Sequence, residues 1–288
     1  YVNGKLIFEG EYLNELRHGK GKEYDYHGNM IYEGDFLNDK RNGKGKKYEK
    51  NTNLIFEGEF LNGIKNGQGK EYYNGKLKYE GEYLNGQKHG KGKEYHLNGN
   101  LFYEGEYLNG VKNGKGKEYD NNGNITYEGE YLHGIRNGQG KEYDKNGKLK
   151  FEGEYINGEK QGKIKEYDNN GNIIYEGGYL DKKRYGKGKG KEYYDGNLIF
   201  EGEYLHGLRH GKVREYYLGN LTFEGMYIYG NKWKGKSKEY NYKGNVIFEG
   251  EYLHGNKWNG KGFDENHKVI YQLINGNEKS KNMILMVI

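Results

Sequence analysis

The chain has 288 residues and a formal net charge of +5, and only 33% of its residues are hydrophobic, a set that includes all 33 tyrosines. This composition argues against a large aliphatic core, and the small net charge argues against nucleic acid as a partner. The absence of cysteine excludes disulfides and thiolate metal sites and, with no signal peptide, favours a cytoplasmic protein, with peripheral association at a membrane or the cytoskeleton as a further expectation.

A period of about 24 residues organises most of the chain. The dipeptide Glu-Gly marks it at Glu9, Glu33, Glu57, Glu80, Glu104, Glu128, Glu152, Glu176, Glu201, Glu224 and Glu249. Each unit has two short alternating segments separated by residues rich in Asn, Asp and Gly. This pattern predicts successive β-hairpins and no sustained helix.

The first hairpin predicts how the units pack. Alternation places Phe8, Gly10 and Tyr12 on one face, and the return strand brings Gly19 and Gly21 to the same face. Because glycine has no side chain, we expect these glycines to leave slots for neighbouring aromatic rings.

The charges of the same hairpin predict its register. Placing Lys20 and Lys22 opposite Glu11 and Glu9 pairs unlike charges across the two strands. A shift by one residue would reverse every face, so this register is part of the prediction.

Histidines occur at two recurring positions of the unit. One set replaces Asn in "YLNG" and the other replaces Asn in "KNG": His133, His206 and His254, then His18, His89 and His210. Both positions are predicted to be left-handed turn residues, since Asn and His are enriched there. With no cysteine and no recurring carboxylate partner, no metal site is expected, and "DNNG" at Asp120 and Asp168 is interpreted as a turn.

One stretch matches a nucleotide-binding motif. Gly230 to Lys238, "GNKWKGKSK", contains G-x-x-x-x-G-K-[ST], with Lys236 and Ser237 at the phosphate and magnesium positions. The following unit has Gly262 in the place of Ser237, and a strand rather than a helix is predicted to follow. The match is therefore interpreted as a coincidence on the repeat, and neither a cofactor nor a catalytic residue is expected.

The unit from Tyr103 resembles the membrane occupation and recognition nexus (MORN) repeat family, including its variant repeats. The matching residues are Tyr103, Gly105, Tyr107, Gly110, Gly114 and Gly116. The resemblance covers about residues 1–263 and implies an elongated all-β array of antiparallel hairpins in a single twisted, ribbon-like sheet. The chain departs from the pattern at several positions, among them Gly178 and Met226, which replace the usual Glu.

The remaining segments are assigned from the same period. Residues 264–276 are predicted to be a degenerate twelfth repeat that caps the array, and 277–288 a tail. The chain begins at Tyr1 inside a connector, so further repeats or a fused domain are expected upstream.

Clustered cations and the two tryptophans are the candidate interaction surface. If their loops share one edge, they form a basic row that suits an anionic membrane or a partner. The residues are Lys182, Lys183, Arg184, Arg209, Lys232, Trp233, Lys234, Lys236, Lys257 and Trp258. The alternative is that these charges lie on a solvated face and bind nothing.

Three functions follow from the resemblance. The first is a non-enzymatic scaffold or adaptor that binds a protein partner or another copy of itself, with membrane-surface association as a finer expectation. The second is a regulatory array working with a lipid kinase or SET-type methyltransferase whose catalytic domain is absent here. The third is a bacterial variant-repeat protein that neutralises a toxin.

Overall fold

The computed structural model describes residues 2, 4–49, 53–241 and 243–280, without the side chains of residues 186–189, 279 and 280. The chain divides into two units, Tyr1–Gly147 and Lys148–Ile288. The first unit contains β1 Phe8–Leu13, β2 Leu16–Tyr24, β3 Met30–Leu37, β4 Lys40–Glu49, β5 Asn53–Leu61, β6 Ile64–Tyr73, β7 Lys76–Leu84, β8 Gln87–Tyr95, β9 Leu101–Leu108, β10 Val111–Tyr119, β11 Ile125–Leu132 and β12 Ile135–Tyr143. The second contains β13 Leu149–Ile156, β14 Glu159–Tyr167, β15 Ile173–Leu180, β16 Lys183–Arg184, β17 Gly186–Tyr194, β18 Asn197–Leu205, β19 Leu208–Tyr217, β20 Asn220–Ile228, β21 Asn231–Tyr240, β22 Val246–Leu253, β23 Asn256–Phe263, β24 Val269–Ile274 and β25 Asn277–Ser280.

Within each unit the strands pair antiparallel in chain order. In the first unit each strand from β1 to β11 pairs with the next one. In the second, β15 pairs with both β16 and β17, and the remaining strands follow in sequence. No helix occurs in the described part of the chain. The predicted all-β array of hairpins is confirmed.

The turn inside each hairpin has two left-handed residues. Asn109 and Gly110 have φ angles of 49° and 87°, as a type I′ turn requires. His133 occupies the same turn position with φ 51°, so the left-handed prediction is correct there. It is wrong for His18, because the left-handed residue is the following Gly19, at 69°. His89 and His210 likewise lie one residue before a left-handed glycine.

Most of the longer connectors between hairpins are closed by an aspartate. The Asp120 carboxylate accepts hydrogen bonds from the backbone N–H groups of Asn122 (2.8 Å) and Asn124 (2.9 Å). The side chain of Asn124 donates a third, and these hydrogen bonds hold the pKa of Asp120 below its ordinary value. The carboxylate thus stabilises a turn, in agreement with the interpretation of "DNNG".

The register of the first hairpin differs from the prediction beyond Gly10. Glu9 lies opposite Lys22 as expected, but the register shifts between Gly10 and Tyr12. Lys20 instead forms an ion pair with Asp35 of the next hairpin at 2.5 Å, while its backbone N–H donates to Glu11. The bulge is the reason, since β2 has two extra residues between Gly21 and Arg17 relative to the step from Gly10 to Tyr12, and they interrupt the simple alternation.

The core is a single layer of aromatic rings on one side of the sheet, here called the aromatic face. Tyr103 is fully buried and Tyr107 is 4% exposed, and their rings meet edge to face with centroids 5.5 Å apart. A Cβ added at Gly116 would lie 2.6 Å from the Tyr103 ring, and one added at Gly105 would lie 2.6 Å from the Cα of Gly116 on the paired strand. The Tyr103 hydroxyl donates to the carbonyl of Glu106 (3.4 Å). The ring therefore fills the space that the glycines leave.

The first hairpin shows the same packing only in part. The Phe8 ring fills the space beside Gly21 and occupies the position that an added Cβ would need. Gly19 does not receive a ring, because the carboxyl carbon of Glu11 lies 2.7 Å from the position of its Cβ. Tyr12 packs edge to face on Phe8 at 5.4 Å yet stays 58% exposed.

The segment predicted as a cap and a tail forms one more hairpin. β24 pairs with β23 on one side and with β25 on the other. β25 covers the first four residues of the predicted tail. Residues 281–288, including the apolar stretch from Met283, lie outside the described residues.

Candidate interaction surface

The aromatic face carries a ladder of alternating cations and carboxylates. Lys112 lies over the Tyr103 ring, with Nζ 4.1 Å from the centroid, and forms an ion pair with Glu118 at 3.3 Å. Arg136 of the next hairpin forms an ion pair with Glu118 at 2.5 Å. Burial alone would raise the pKa of Glu118, but the hydrogen bond and charge of Arg136, with the charge of Lys112, lower it overall. Each carboxylate thus links two hairpins.

Four of the predicted surface cations belong to this ladder. Each forms an ion pair with a partly buried carboxylate: Arg184 with Glu166 (2.8 Å), Arg209 with Glu192 (2.5 Å), Lys232 with Glu215 (3.0 Å) and Lys257 with Glu239 (2.8 Å). Each also lies 4.1–4.9 Å above an aromatic ring. These side chains hold hairpins together and do not project from a loop edge.

The other predicted cations are exposed. Lys182 occupies a turn and reaches Glu159 at 3.1 Å, and the stem of Lys183 lies near Gly207, 3.7 Å from the position of an added Cβ. Lys234 and Lys236 extend from β21 and form no ion pair within 4.0 Å in the part of the chain that the structure describes.

The two tryptophans pack on the turns that follow them. Trp233 is 37% exposed, and its ring lies 4.7 Å from that of His254. Trp258 lies 3.2 Å from the position of a Cβ added at Gly276. His210 makes a similar contact with Tyr229 one hairpin earlier, at 5.5 Å. Trp233 therefore has a packing role that its sequence position did not reveal.

The nucleotide-binding match lies in a strand. Lys236 and Ser237 belong to β21, and Ser237 lies opposite Phe223 and Gly250 of the neighbouring strands. Ser237 is 3% exposed, and its hydroxyl donates to the carbonyl of Thr222 (3.1 Å). Neither a phosphate-binding loop nor a following helix is formed here.

The opposite side of the sheet, here called the charged face, carries a second ladder. Glu104 lies opposite Lys117, and its carboxylate accepts a hydrogen bond from the Tyr119 hydroxyl at 2.7 Å. Partial burial and this hydrogen bond to the carboxylate raise the pKa of Tyr119. The face is thus neutralised locally through most of its length, which argues against a strong surface potential.

Exposed aliphatic side chains line the hairpin turns of the first unit, and we call them the turn row. They are 38–54% exposed: Leu13, Leu16, Leu37, Leu61, Ile64, Leu84, Leu108, Val111, Leu132 and Ile135. The turns lie side by side, because Gly110 N–H donates to the carbonyl of Lys88 and Gly134 N–H donates to that of Lys112. We did not predict this row, although the recurring pattern L-N-G-[IV] encodes it.

Neither a metal site nor a spanning helix is formed by the described residues. Their His, Cys, Asp and Glu side chains form no group of three or more that could hold a metal ion. None of the described segments is a helix long and apolar enough to cross a bilayer.

Comparison with known proteins identifies the repeats. The MORN repeat model matches residues 8–30, 32–49, 56–76, 79–101, 103–125 and 200–212, and the MORN repeat variant model matches 136–157 and 160–181. No curated protein gives a significant match.

Solved structures give only distant matches. The crystal structure of TcdB2-TccC3-Cdc42 is 11% identical with a TM-score of 0.19, over 88% of this chain and 17% of that one. The crystal structure of TcdB2-TccC3-TEV is 12% identical with a TM-score of 0.14, and the match covers 91% of this chain and 16% of that one. The chain thus spans less than a fifth of either, and these matches carry no argument about function. The matches of the two repeat models along the chain show that it belongs to the MORN repeat family.

Proposed function

We propose that the chain is a non-enzymatic repeat scaffold that binds a protein partner along the turn row. The observation that supports this proposal is the row itself, in which each hairpin adds exposed aliphatic side chains at the same edge. Ile64 and Val111 lie 3.2 and 3.9 Å from Cβ positions at Gly86 and Gly134, so each of them contacts the next turn. Contiguous exposed apolar surface on a folded domain is typical of a site that binds a protein.

The membrane alternative has less support. Of the ten residues predicted to form a basic edge, four cations are paired with carboxylates on the aromatic face, and both tryptophans pack on neighbouring turns. Fewer charges and less indole surface are therefore free to meet an anionic bilayer than the sequence suggested.

The test uses photo-crosslinking from within the row. A benzophenone amino acid at Ile64 should capture a partner in cells, and the same group at Leu97, a 66% exposed residue of a connector at the opposite edge, should not. The captured protein is then purified, and its affinity is measured for the wild-type chain, for Leu61→Ser with Ile64→Ser, and for Leu97→Ser. We expect the double variant to lose about tenfold in affinity and the Leu97→Ser control to bind as the wild type does.

Two other results would overturn this proposal. One is equal binding of the captured protein by the double variant and the wild type. The other is sedimentation of the chain with anionic vesicles that is lost in Trp233→Ala with Trp258→Ala, together with no capture from Ile64. Sedimentation equilibrium of the purified chain distinguishes a second copy of the chain from a different partner.

A further inference from the structure

The charged face of the second unit has a break in its carboxylates at β20. Met226 lies opposite Lys212 of β19 on one side and opposite Lys234 of β21 on the other. Two ammonium groups therefore flank a thioether on three adjacent strands, whose outer backbones are about 10 Å apart at the usual strand spacing. We call these three residues the Lys-Met-Lys patch.

Most other hairpins have an acid at the position of Met226, although Gly178 occupies it in one of them. Asp35 lies opposite Lys20 and forms an ion pair with it at 2.5 Å, and its carboxylate also accepts the backbone N–H of Lys44. Glu106 likewise lies opposite a lysine, Lys91, although its carboxylate is directed to Gly114. With Met226 in place of an acid, a large apolar side chain instead of a carboxylate lies opposite Lys212 and Lys234.

The two lysines of the patch form no ion pair within the part of the chain that the structure describes. Lys212 and Lys234 are exposed, Met226 is partly exposed, and no carboxylate lies within 4.0 Å of either ammonium group. Exposed aromatic surface is contributed by the same strands and their turn, from Tyr229 and Trp233. An unpaired cation pair beside apolar side chains favours an occupant with carboxylates and an apolar group.

Neighbouring acids limit the size of that occupant. Glu224 is exposed beside Arg214, and Glu251 is exposed opposite Lys236. A bilayer surface or a nucleic-acid backbone would bring negative charge to these acids as well as to the lysines, and like charges repel. A short segment of polypeptide can place its carboxylates on the lysines alone.

We propose that the Lys-Met-Lys patch binds an acidic polypeptide segment in which two carboxylates flank a large apolar side chain. The carboxylates pair with Lys212 and Lys234, and the apolar side chain packs on Met226. This proposal rests on the proposed scaffold function only in assigning a protein as the partner. The patch and the turn row lie in different units of the chain, so they can be tested separately.

The test measures fluorescence anisotropy of dye-labelled synthetic peptides with the whole chain. A peptide alternating Glu and Leu is the probe, and peptides alternating Glu and Ser or Lys and Leu are the comparisons. We expect the Glu-Leu peptide to bind best and its affinity to fall with salt, as screened charge pairs do. Met226→Glu, which restores the acid found in other hairpins, should weaken binding about tenfold.

Matched variants separate the patch from general effects. Met226→Leu keeps the apolar side chain and should bind as the wild type does. Lys91→Gln removes one lysine outside the patch and should also leave the affinity unchanged. Circular dichroism melts of each variant establish that the fold is retained. The double variant Lys212→Gln with Lys234→Gln should lose peptide affinity, as Met226→Glu does.

Vesicles containing phosphatidylserine and single-stranded RNA are tested alongside the peptides. Equal peptide binding by Met226→Glu and the wild type would overturn the proposal. So would binding of vesicles or RNA that is lost in Met226→Glu when no peptide binds. Leu61→Ser with Ile64→Ser should leave peptide binding intact, so a failure of the turn-row proposal and a failure of the patch proposal give different results.

Discussion

The carboxylate of Glu106 occupies the space that a side chain at Gly114 would need. The carboxyl carbon lies 3.0 Å from the position of an added Cβ, and Gly114 has a φ angle of +85°. The same relationship joins Asp35 to Gly43 and Glu130 to Gly138. The acid of E-G-E and the first glycine of G-x-G therefore form one structural unit, a bulge filled by a carboxylate.

This relationship predicts the effects of two alanine substitutions. Gly123→Ala should lower the free energy of unfolding by about 1–2 kcal/mol, because it adds a side chain to a left-handed residue. Gly123 has φ +88° and no atom within 4 Å of its Cβ position, so no steric term is added. Gly114→Ala has the same backbone cost and must also displace the Glu106 side chain, which should lower the free energy of unfolding by about 1 kcal/mol more.

Urea unfolding measures both variants against the wild type. A cycle with Glu106→Ala provides the control, because removing the carboxylate should recover the additional loss at Gly114 and leave Gly123→Ala unchanged. Equal destabilisation by the two glycine variants would contradict the filled-bulge description.

The second prediction concerns the ladder on the aromatic face. Glu118→Gln removes the negative charge shared by Lys112 and Arg136, and we expect a loss of about 1–2 kcal/mol in unfolding free energy. The isosteric amide keeps the shape of the side chain, so the change reports on charge. Glu265→Gln is a suitable control, since Glu265 is exposed and its ion pair with Lys243, at 3.6 Å, lies outside the ladder.

The third prediction is the dependence of stability on pH. The pKa values of Glu71, Glu118 and Glu192 are held below their ordinary value, because their cation partners outweigh the effect of burial. A carboxyl group with a lowered pKa stabilises the fold above the pKa of the unfolded chain, 4.5, and loses that contribution as pH falls through the folded pKa. Urea midpoints should therefore fall as the pH is lowered from 5 to 3, and less steeply in Glu118→Gln.

The fourth prediction concerns a turn with an unfavourable residue. Leu218 and Asn74 occupy the same left-handed position of two short connectors, with φ angles of 47° and 48°. Because Asn tolerates this conformation better, Leu218→Asn should raise the unfolding free energy by about 0.5–1 kcal/mol, and Asn74→Leu should lower it by a similar amount. Thermal melts of both variants provide the measurement, and changes of the same sign would contradict the explanation.

The fifth prediction concerns the nucleotide-binding match. Since Ser237 is buried and Lys236 lies in a strand, the wild type and Lys236→Ala should show the same absence of ATP binding and hydrolysis. Isothermal titration calorimetry with magnesium and ATP tests binding, and phosphate release tests turnover. A turnover that is specific to nucleotide and lost in Lys236→Ala would refute the non-enzymatic proposal.

The hairpins and the aromatic packing could be predicted, because they depend on residues close together in the sequence. The charge partners could not, because they depend on bulges and on contacts between strands. Alternation and Asn-Gly pairs predicted the hairpins, and Gly21 on the same face as Phe8 predicted the packing of an aromatic ring beside a glycine. The bulge at Glu11 was missed because alternation alone assumes uninterrupted pairing, and it changes the partner of Lys20 from Glu11 to Asp35. Arg209 was interpreted as a loop cation from the sequence, since its ring partner Phe200 and its carboxylate partner Glu192 come from other strands.

The backbone hydrogen bond from Gly110 to Lys88 has a consequence for the length of the protein. Each turn is held by the preceding hairpin, and each hairpin offers the same carbonyl to the next. Removal of one whole period, about 24 residues, would therefore bring together two surfaces that already fit. Removal of half a period would instead place a connector where a turn is needed. The gene can thus gain or lose whole units by recombination without any compensating substitution, and the number of binding positions along the turn row would change in whole steps.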